Sequence, residues 1–239
     1  MNNFWQNGHE RNINEDKFRG HEQYLGQHGY PHRAVVDYLK SVGLADWISK
    51  LSEDDAFDNP VEIVDGLTVS RDLLDSILEI DFMLRAGGLP CGTILDIGAG
   101  YGRLAYRITQ SFESTSVYCV DAISISQRVC AKYLAYRGAT RAFVGERPVH
   151  ADLAINVFSW GECALDEVRG WLDVLEEMQV PRLFHIPHTL SFGSNSSERG
   201  SGNGESYRPD LESRGWKLAK QWIGPECDQH IYTLWEKQV

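Results

Sequence analysis

The sequence predicts an α/β fold: a mostly parallel seven-stranded sheet with helices on both faces and an antiparallel pair at its C-terminal end. Three observations lead there. From Thr93 to Ile186, short apolar runs alternate with stretches whose apolar residues recur at helical spacing, the pattern of β-α-β units. The last two strand-like runs are separated only by a turn containing Gly224 and Pro225, too short for a helical crossover, so they must pair antiparallel. The first apolar run ends in D-I-G-A-G-Y-G-R, residues 96–103, where a strand has to turn into a helix.

The elements follow in chain order. Residues 1–32 are polar, rich in Asn, His, Gly and Gln, with Trp5, Phe18, Tyr24 and Tyr30 spaced among them; they read as an arm or lid, not core. Arg33 to Val42 forms a short helix with Val35, Val36 and Leu39 on one face, stopped by Gly43. Ser52 to Asn59 reads as an acidic loop. Ser70 to Ala86 is a longer helix with Leu73, Ile77, Ile80 and Leu84 on one stripe. Ser70 caps its start, and Gly87 and Gly88 end it before Pro90. Strands are expected at Thr93–Asp96, Val117–Val120, Arg141–Gly145, Asp152–Phe158 and Leu183–Ile186. Helices between them run over Arg103–Phe112, Ile125–Arg137 (Ser124 as cap, Gly138 at the end) and the Leu165, Val168, Leu172, Leu175, Met178 series. Trp216–Ile223 and His230–Glu236 are the antiparallel pair. Ser191 to Ser206, rich in Ser, Gly and Asn, is a loop. The division that results is an N-terminal arm and helical cap over 1–89, then a second domain over 90–239.

Composition narrows the function classes. The chain has 239 residues, 42% hydrophobic and 24% charged, ordinary for a globular protein with a substantial core. Its formal net charge of -11 repels phosphates, which disfavours a broad electrostatic nucleic-acid binder. Five cysteines (Cys91, Cys119, Cys130, Cys163, Cys227) are scattered without C-x-x-C spacing. They suggest free thiols in a reducing compartment, not a zinc site or a disulfide framework. No basic-then-apolar leader opens the chain and no apolar run is long enough to span a bilayer. A cytoplasmic protein without a membrane partner is expected; a homodimer stays open.

The glycines and the acid carry the chemistry. A glycine turn after the first strand lets a ligand approach the backbone, with amides of the helix start available to it. Gly98, Gly100 and Gly102 give G-x-G-x-G; the residue that would complete G-x-G-x-x-G is Arg103, so the dinucleotide pattern is broken. Asp96 agrees, because a carboxylate at that mouth would repel a pyrophosphate. It suits a cofactor with an ammonium group and no phosphate, such as S-adenosylmethionine. Asp121 closes the second strand in V-Y-C-V-D, where an acid can accept from both hydroxyls of a ribose.

With these residues in view, the region from about residue 90 onward resembles the class I S-adenosylmethionine-dependent methyltransferases, a Rossmann-like family. More narrowly, D-I-G-A-G-Y-G-R-L-A, I-N-V-F-S-W-G-E-C, L-F-H-I-P-H and the upstream S-R-D-L-L-D-S helix resemble a sugar O-methyltransferase family. The resemblance implies methyl transfer to an oxygen of a sugar or glycosylated small metabolite. It implies that Asp96, Gly98, Ala99 and Gly100 line the methionine end of the cofactor, with Gly102 opening the helix. It places Asp121 at the ribose, Ala122 and Ile123 near the adenine, Ser159 beside the cofactor, and the loop around Glu146 and Arg147 over the adenine.

The acceptor belongs at the tips of the fourth and fifth strands, Phe158–Glu162 and His185–His188. His188 is the first choice of base and Glu162 the second. An ordinary loop histidine and a helix-start acid are the plainer readings of those two. A metal such as Mg2+ could polarise a sugar diol through Glu162, Asp166 and His188, but their spacing is not diagnostic, so no metal is assigned. Trp160 and Trp171 are expected to pack, not to bind. Arg103 is expected to pair with a nearby acid and not to touch substrate. Base N-methylation is disfavoured, since Val157-Phe158-Ser159-Trp160 stands where an Asn-Pro-Pro-Tyr type motif would. A cofactor-binding module without catalysis is the non-enzyme alternative.

Overall fold

In a computed structural model of the chain, the structure describes residues 13–20, 29–51, 53–87, 92–187, 206–225 and 230–238. His188, Trp5, Tyr24, Cys91, Cys227, Ser52, Gly88, Pro90 and residues 191–205 lie outside them.

The segment before the main sheet holds helices α1 (His32–Ser41), α2 (Ala45–Lys50) and α3 (Arg71–Arg85), with a hairpin of β1 (Glu62–Val64) and β2 (Leu67–Val69) before α3. The main sheet then alternates: β3 (Thr93–Ile97), α4 (Arg103–Ser111), β4 (Ser116–Val120), α5 (Ser124–Tyr136), β5 (Ala142–Val144), β6 (Leu153–Val157), α6 (Leu165–Glu177), β7 (Arg182–Ile186). It ends with α7 (Arg208–Ser213), β8 (Trp216–Ile223) and β9 (Ile231–Lys237). The seven strands lie in the order β5-β4-β3-β6-β7-β9-β8. Pairing is parallel from β5 to β7 and antiparallel for β7–β9 and β9–β8. The predicted fold class is therefore the observed one. The strand order reverses between β3 and β6, and such a switch point opens a crevice at the carboxyl ends of the strands.

Strand alternation divides the core between the two faces. Ile94, Ile155, Phe184 and Ile186 pack with α1, α3, α4 and α5. Leu95, Ile97, Ala154 and Leu183 pack with α6 and α7. Asp96, two residues after Ile94, shares the α3–α4 face. The helix ends follow their sequence signals. Ser70 Oγ accepts from the Leu73 amide at 3.0 Å, and Gly87 after α3 has φ +76°.

Several expectations need correcting. The arm is not all outside the core: Phe18 is 0% exposed and stacks on Phe57 at 4.7 Å and against Tyr101 at 5.4 Å. The acidic loop Ser52 to Asn59 keeps Asp55 and Asp58 exposed but turns two of its acids inward. Glu53 and Asp72, both fully buried, bind Arg19 and Arg107, also fully buried, at 2.6–3.3 Å, while Asp54 takes Arg19 and Arg137 at 2.9 and 2.7 Å. Three cations and three anions cancel there, the condition under which buried charge is tolerated. Leu84 does not share the buried stripe; it is 40% exposed, because α3 is covered on nearly all sides except at its C-terminal turn. Ser124 does not cap α5. Ile123 holds the N-cap position without a side-chain bond, and the neighbouring acceptor is Asp121. Among the described residues no helix is long and apolar enough to cross a membrane, and Cys119, Cys130 and Cys163 are free thiols.

Candidate functional site

The glycine turn is built by close approach. Gly98 takes φ +73°, a region that L side chains enter at a cost, and a Cβ there would lie 2.1 Å from Ser159 Oγ. Gly102 takes φ +84°, and its Cβ would meet Cys130 Sγ at 2.9 Å. The turn thus lies flat between the tip of β6 and helix α5. Its amides are tied to β4: Gly98 N and Ala99 N donate to Val120 O at 2.8 and 3.3 Å.

Asp121 braces the turn. Its Oδ2 accepts from Gly100 N at 3.2 Å and its Oδ1 from Ile123 N at 2.9 Å. Gln127 Nε2 donates to its backbone oxygen at 2.6 Å. Burial pushes its carboxyl up to about 6, against the pull of those two amides.

Asp96 is different. It is 4% exposed, and its carboxylate has no hydrogen-bond partner among the described residues. Burial pushes it up to about 7; Arg103 draws it down, and Glu79 and Asp121 push it further up. A buried carboxylate without a partner is costly, so its environment suits a cation that is brought in.

On the other side of the crevice, Asn156 Nδ2 donates to Ile97 O at 2.9 Å and to Ser159 Oγ at 2.5 Å. Ser159 Oγ also donates to Ile97 O at 3.2 Å. Phe158 between them has φ +65°, a strained value for a bulky residue. It is held by Phe158 N→Ile186 O and Gly161 N→Phe158 O, both 2.9 Å, and its ring meets His230 edge-on at 4.8 Å.

The structure brings Asp96, Gly98, Ala99, Gly100, Gly102, Asp121 and Ser159 around one turn, with Ile123 buried at the start of α5 and Ala122 exposed beside it. Glu162 ends the short helical turn Ser159–Glu162 and is half-buried. Asp166 is 91% exposed and bound to Arg169 at 3.0 Å. Among the described residues no group of three or more metal-ligating side chains is gathered. Glu146 and Arg147 are exposed. Trp160 is fully buried, as its packing role requires. His185 is buried with Tyr207 Oη 2.7 Å from its Nε2, and burial pushes it down to about 3; it is a neutral core histidine.

Three residues of the site, Asn156, Ser76 and Glu79, were not anticipated, and Phe158 was expected at the strand tip without its positive φ. Asn156 interrupts the apolar run of β6, and that was its visible signal. Phe158 carried none, since positive φ is not written in a phenylalanine. Ser76 and Glu79 were hidden in the apolar count of α3, although Asp72, Asp75, Ser76 and Glu79 recur at helical spacing as a second, polar stripe. Arg103 donates from Nη2 to Glu79 Oε1 at 2.5 Å and from Nη1 to Glu79 Oε2 at 2.8 Å and Ser76 Oγ at 2.9 Å, so its pairing with an acid is observed.

No family model and no curated protein matches the chain. Solved structures do. A SAM-dependent methyltransferase from Aquifex aeolicus is similar over 66% of this chain and 88% of its own, at 17% identity and TM-score 0.51. Magnesium protoporphyrin IX methyltransferase (ChlM) from Synechocystis PCC 6803, with bound SAM, covers 85% of this chain and 95% of its own at 14% identity and TM-score 0.51. The same enzyme with bound SAH matches at 15% identity, TM-score 0.52, over 85% and 98%. At these identities the likeness is one of fold: the chain has the Rossmann-like architecture of these methyltransferases.

Proposed function

We propose that the chain is an S-adenosylmethionine-dependent O-methyltransferase acting on a hydroxyl of a sugar or glycosylated small metabolite. The observation that carries the cofactor is Asp96: a buried carboxylate without a hydrogen-bond partner among the described residues, at the strand end that opens a glycine turn braced by Asp121. A phosphate would be repelled there. The methionine ammonium of S-adenosylmethionine would be attracted, and Asp121 is free to turn its outer lone pairs to a ribose. Ala122 and Ile123 follow directly and would border the adenine. The residues present therefore fit this cofactor, and the similarity to structures holding SAM and SAH supports the same choice.

The bound cofactor supplies an electrophilic methyl group on a sulfonium. The chain's part is to place an acceptor oxygen in line with it and to take the hydroxyl proton. Ser159 and the strained Phe158 form the wall between cofactor turn and acceptor. His188, outside the described residues, is the base in this reading, with Glu162 as second choice. Residues 1–89 would act as a cap over a catalytic domain of 90–239. The sugar assignment rests on the sequence motifs, and a cytoplasmic location on the scattered free cysteines.

The test is transfer of labelled methyl from S-adenosylmethionine to a panel of glycosides, with aglycones, RNA and protein as comparison acceptors, each with and without Mg2+. Label on glycosides alone is the expected result. Label only on another class would overturn the sugar assignment while leaving the methyltransferase reading intact.

A further inference from the structure

Arg103 does more than pair with an acid. It is the first residue of α4, directly after Gly102, and α4 packs on α3. Its guanidinium is held by a fork to Glu79, a fully buried carboxylate, and by Ser76 Oγ, which in turn donates to Asp72 O at 2.7 Å. A planar guanidinium has five N–H donors in fixed directions. Three directions are used here. The Nε–H and the second Nη2–H have no acceptor among the described residues, and the side chain keeps 14% of its surface open. Arg107 and Arg19 of the ionic cluster are different: their side chains are 0% exposed, so no ligand reaches them.

Arg103 directly follows the glycine turn whose other flank is Asp96, and its charge acts on the Asp96 carboxyl, drawing it down. A carboxylate lacking a donor and a fixed cation with donors to spare, on the two flanks of one glycine turn, match the two ends of an α-amino acid. The charges match as well. Asp96, Arg103 and Glu79 sum to −1. The methionine end of the cofactor, sulfonium plus ammonium plus carboxylate, sums to +1.

We propose that Arg103 binds the carboxylate of the cofactor's methionine moiety, and that Glu79 and Ser76 are positioning residues that aim it, which makes helix α3 a working part of the cofactor pocket. This rests on the reading of the site as an S-adenosylmethionine site, and it adds a contact with the cofactor to the expected pairing of Arg103 with an acid. A charge-assisted, two-bond contact of this kind sets the expected loss on its removal at about ten- to a hundredfold in affinity.

The test compares two ligands by calorimetry. S-Adenosylhomocysteine carries the amino-acid end; 5′-methylthioadenosine has the same nucleoside and lacks it. The wild type should bind the first more tightly. Arg103→Ala should lose about ten- to a hundredfold for S-adenosylhomocysteine and keep its affinity for 5′-methylthioadenosine. Arg103→Lys, with the charge but not the fork, should lose less. Glu79→Gln should lower only the amino-acid-bearing ligand, and Asp121→Ala should lower both. Retained 5′-methylthioadenosine binding shows that a variant is folded, and Arg103→Lys with Glu79→Gln decides the matter if Arg103→Ala does not fold. A wild type that binds both ligands equally would overturn the proposal and the ammonium site at Asp96 together. Arg103 and Glu79 variants that keep the wild-type ratio of the two affinities would overturn the proposal and leave the cofactor reading standing. A wild type that binds neither would overturn both.

Discussion

The state of Asp96 makes cofactor affinity depend on pH in a way that can be worked out in advance. With its carboxyl pushed up to about 7, Asp96 is roughly 9% ionised at pH 6 and roughly 70% at pH 7.4. Only the ionised form attracts an ammonium. The ligand's α-amino group, beside a carboxylate and not an amide carbonyl, keeps its proton through this range. The ionised fraction of Asp96 therefore falls about eightfold from pH 7.4 to pH 6. Asp121, at about 6, is half protonated at pH 6 and adds about twofold, for a total of about fifteenfold. The groups that set the acid limb are burial first, then Arg103, Glu79 and Asp121 around Asp96. The assay is calorimetric titration of S-adenosylhomocysteine from pH 5.5 to 8.5 on the wild type and Asp96→Asn. The variant should bind weakly and keep only the twofold step. An affinity that is flat between pH 6 and 7.4, or an Asp96→Asn protein with the wild-type profile, would refute the assignment of Asp96 to the ammonium.

Three further outcomes follow from the same structure. Because the folded-state carboxyl of Asp96 lies at about 7 against an ordinary 3.8, its contribution to stability is present below 3.8 and lost as pH rises to 7. Asp96→Asn should therefore stabilise the ligand-free protein at pH 8 by up to about 4 kcal/mol and leave it nearly unchanged at pH 4, read by urea unfolding. Gly98→Ala should cost about 1–3 kcal/mol and weaken cofactor binding, since a methyl group would meet Ser159 Oγ at 2.1 Å on a backbone at φ +73°; wild-type stability and affinity in that variant would contradict the close approach. Arg107→Ala leaves Glu53 and Asp72 short of a buried partner and should destabilise by about 3–5 kcal/mol in the same unfolding assay; a loss below about 1 kcal/mol would mean the cluster is relaxed or hydrated.

What could be read from the sequence was local. The D-x-G-x-G-x-G turn, the acid closing β4, the helix ends at Ser70, Gly43 and Gly138, and the antiparallel pair all depend on neighbours within a few residues. The same local logic was available for one element that was passed over. Asp65 and Gly66 both have positive φ between β1 and β2, the D-G turn that closes two-residue hairpins, and they sat in a stretch too short to look like strands. The buried ion cluster is of another kind. Arg19, Glu53, Asp72, Arg107 and Arg137 are far apart in sequence, and an acidic stretch such as Glu53-Asp54-Asp55 looks solvated until its tertiary partners are known. The site divides the same way. Asp96 and Asp121 were marked by their strand ends, whereas Glu79 and Ser76 reach the turn only because α3 packs across α4. The polar stripe on α3 was countable, but which element it faces was not.

The central claim is the cofactor, and one titration tests it most directly. S-Adenosylmethionine, S-adenosylhomocysteine and NAD are titrated by calorimetry into the wild type and Asp121→Ala. Binding of the two sulfur compounds without NAD, with a clear loss in the variant, is the predicted result. NAD binding in their place, or no binding of either sulfur compound to the folded protein, would contradict it and reduce the glycine turn to a structural corner.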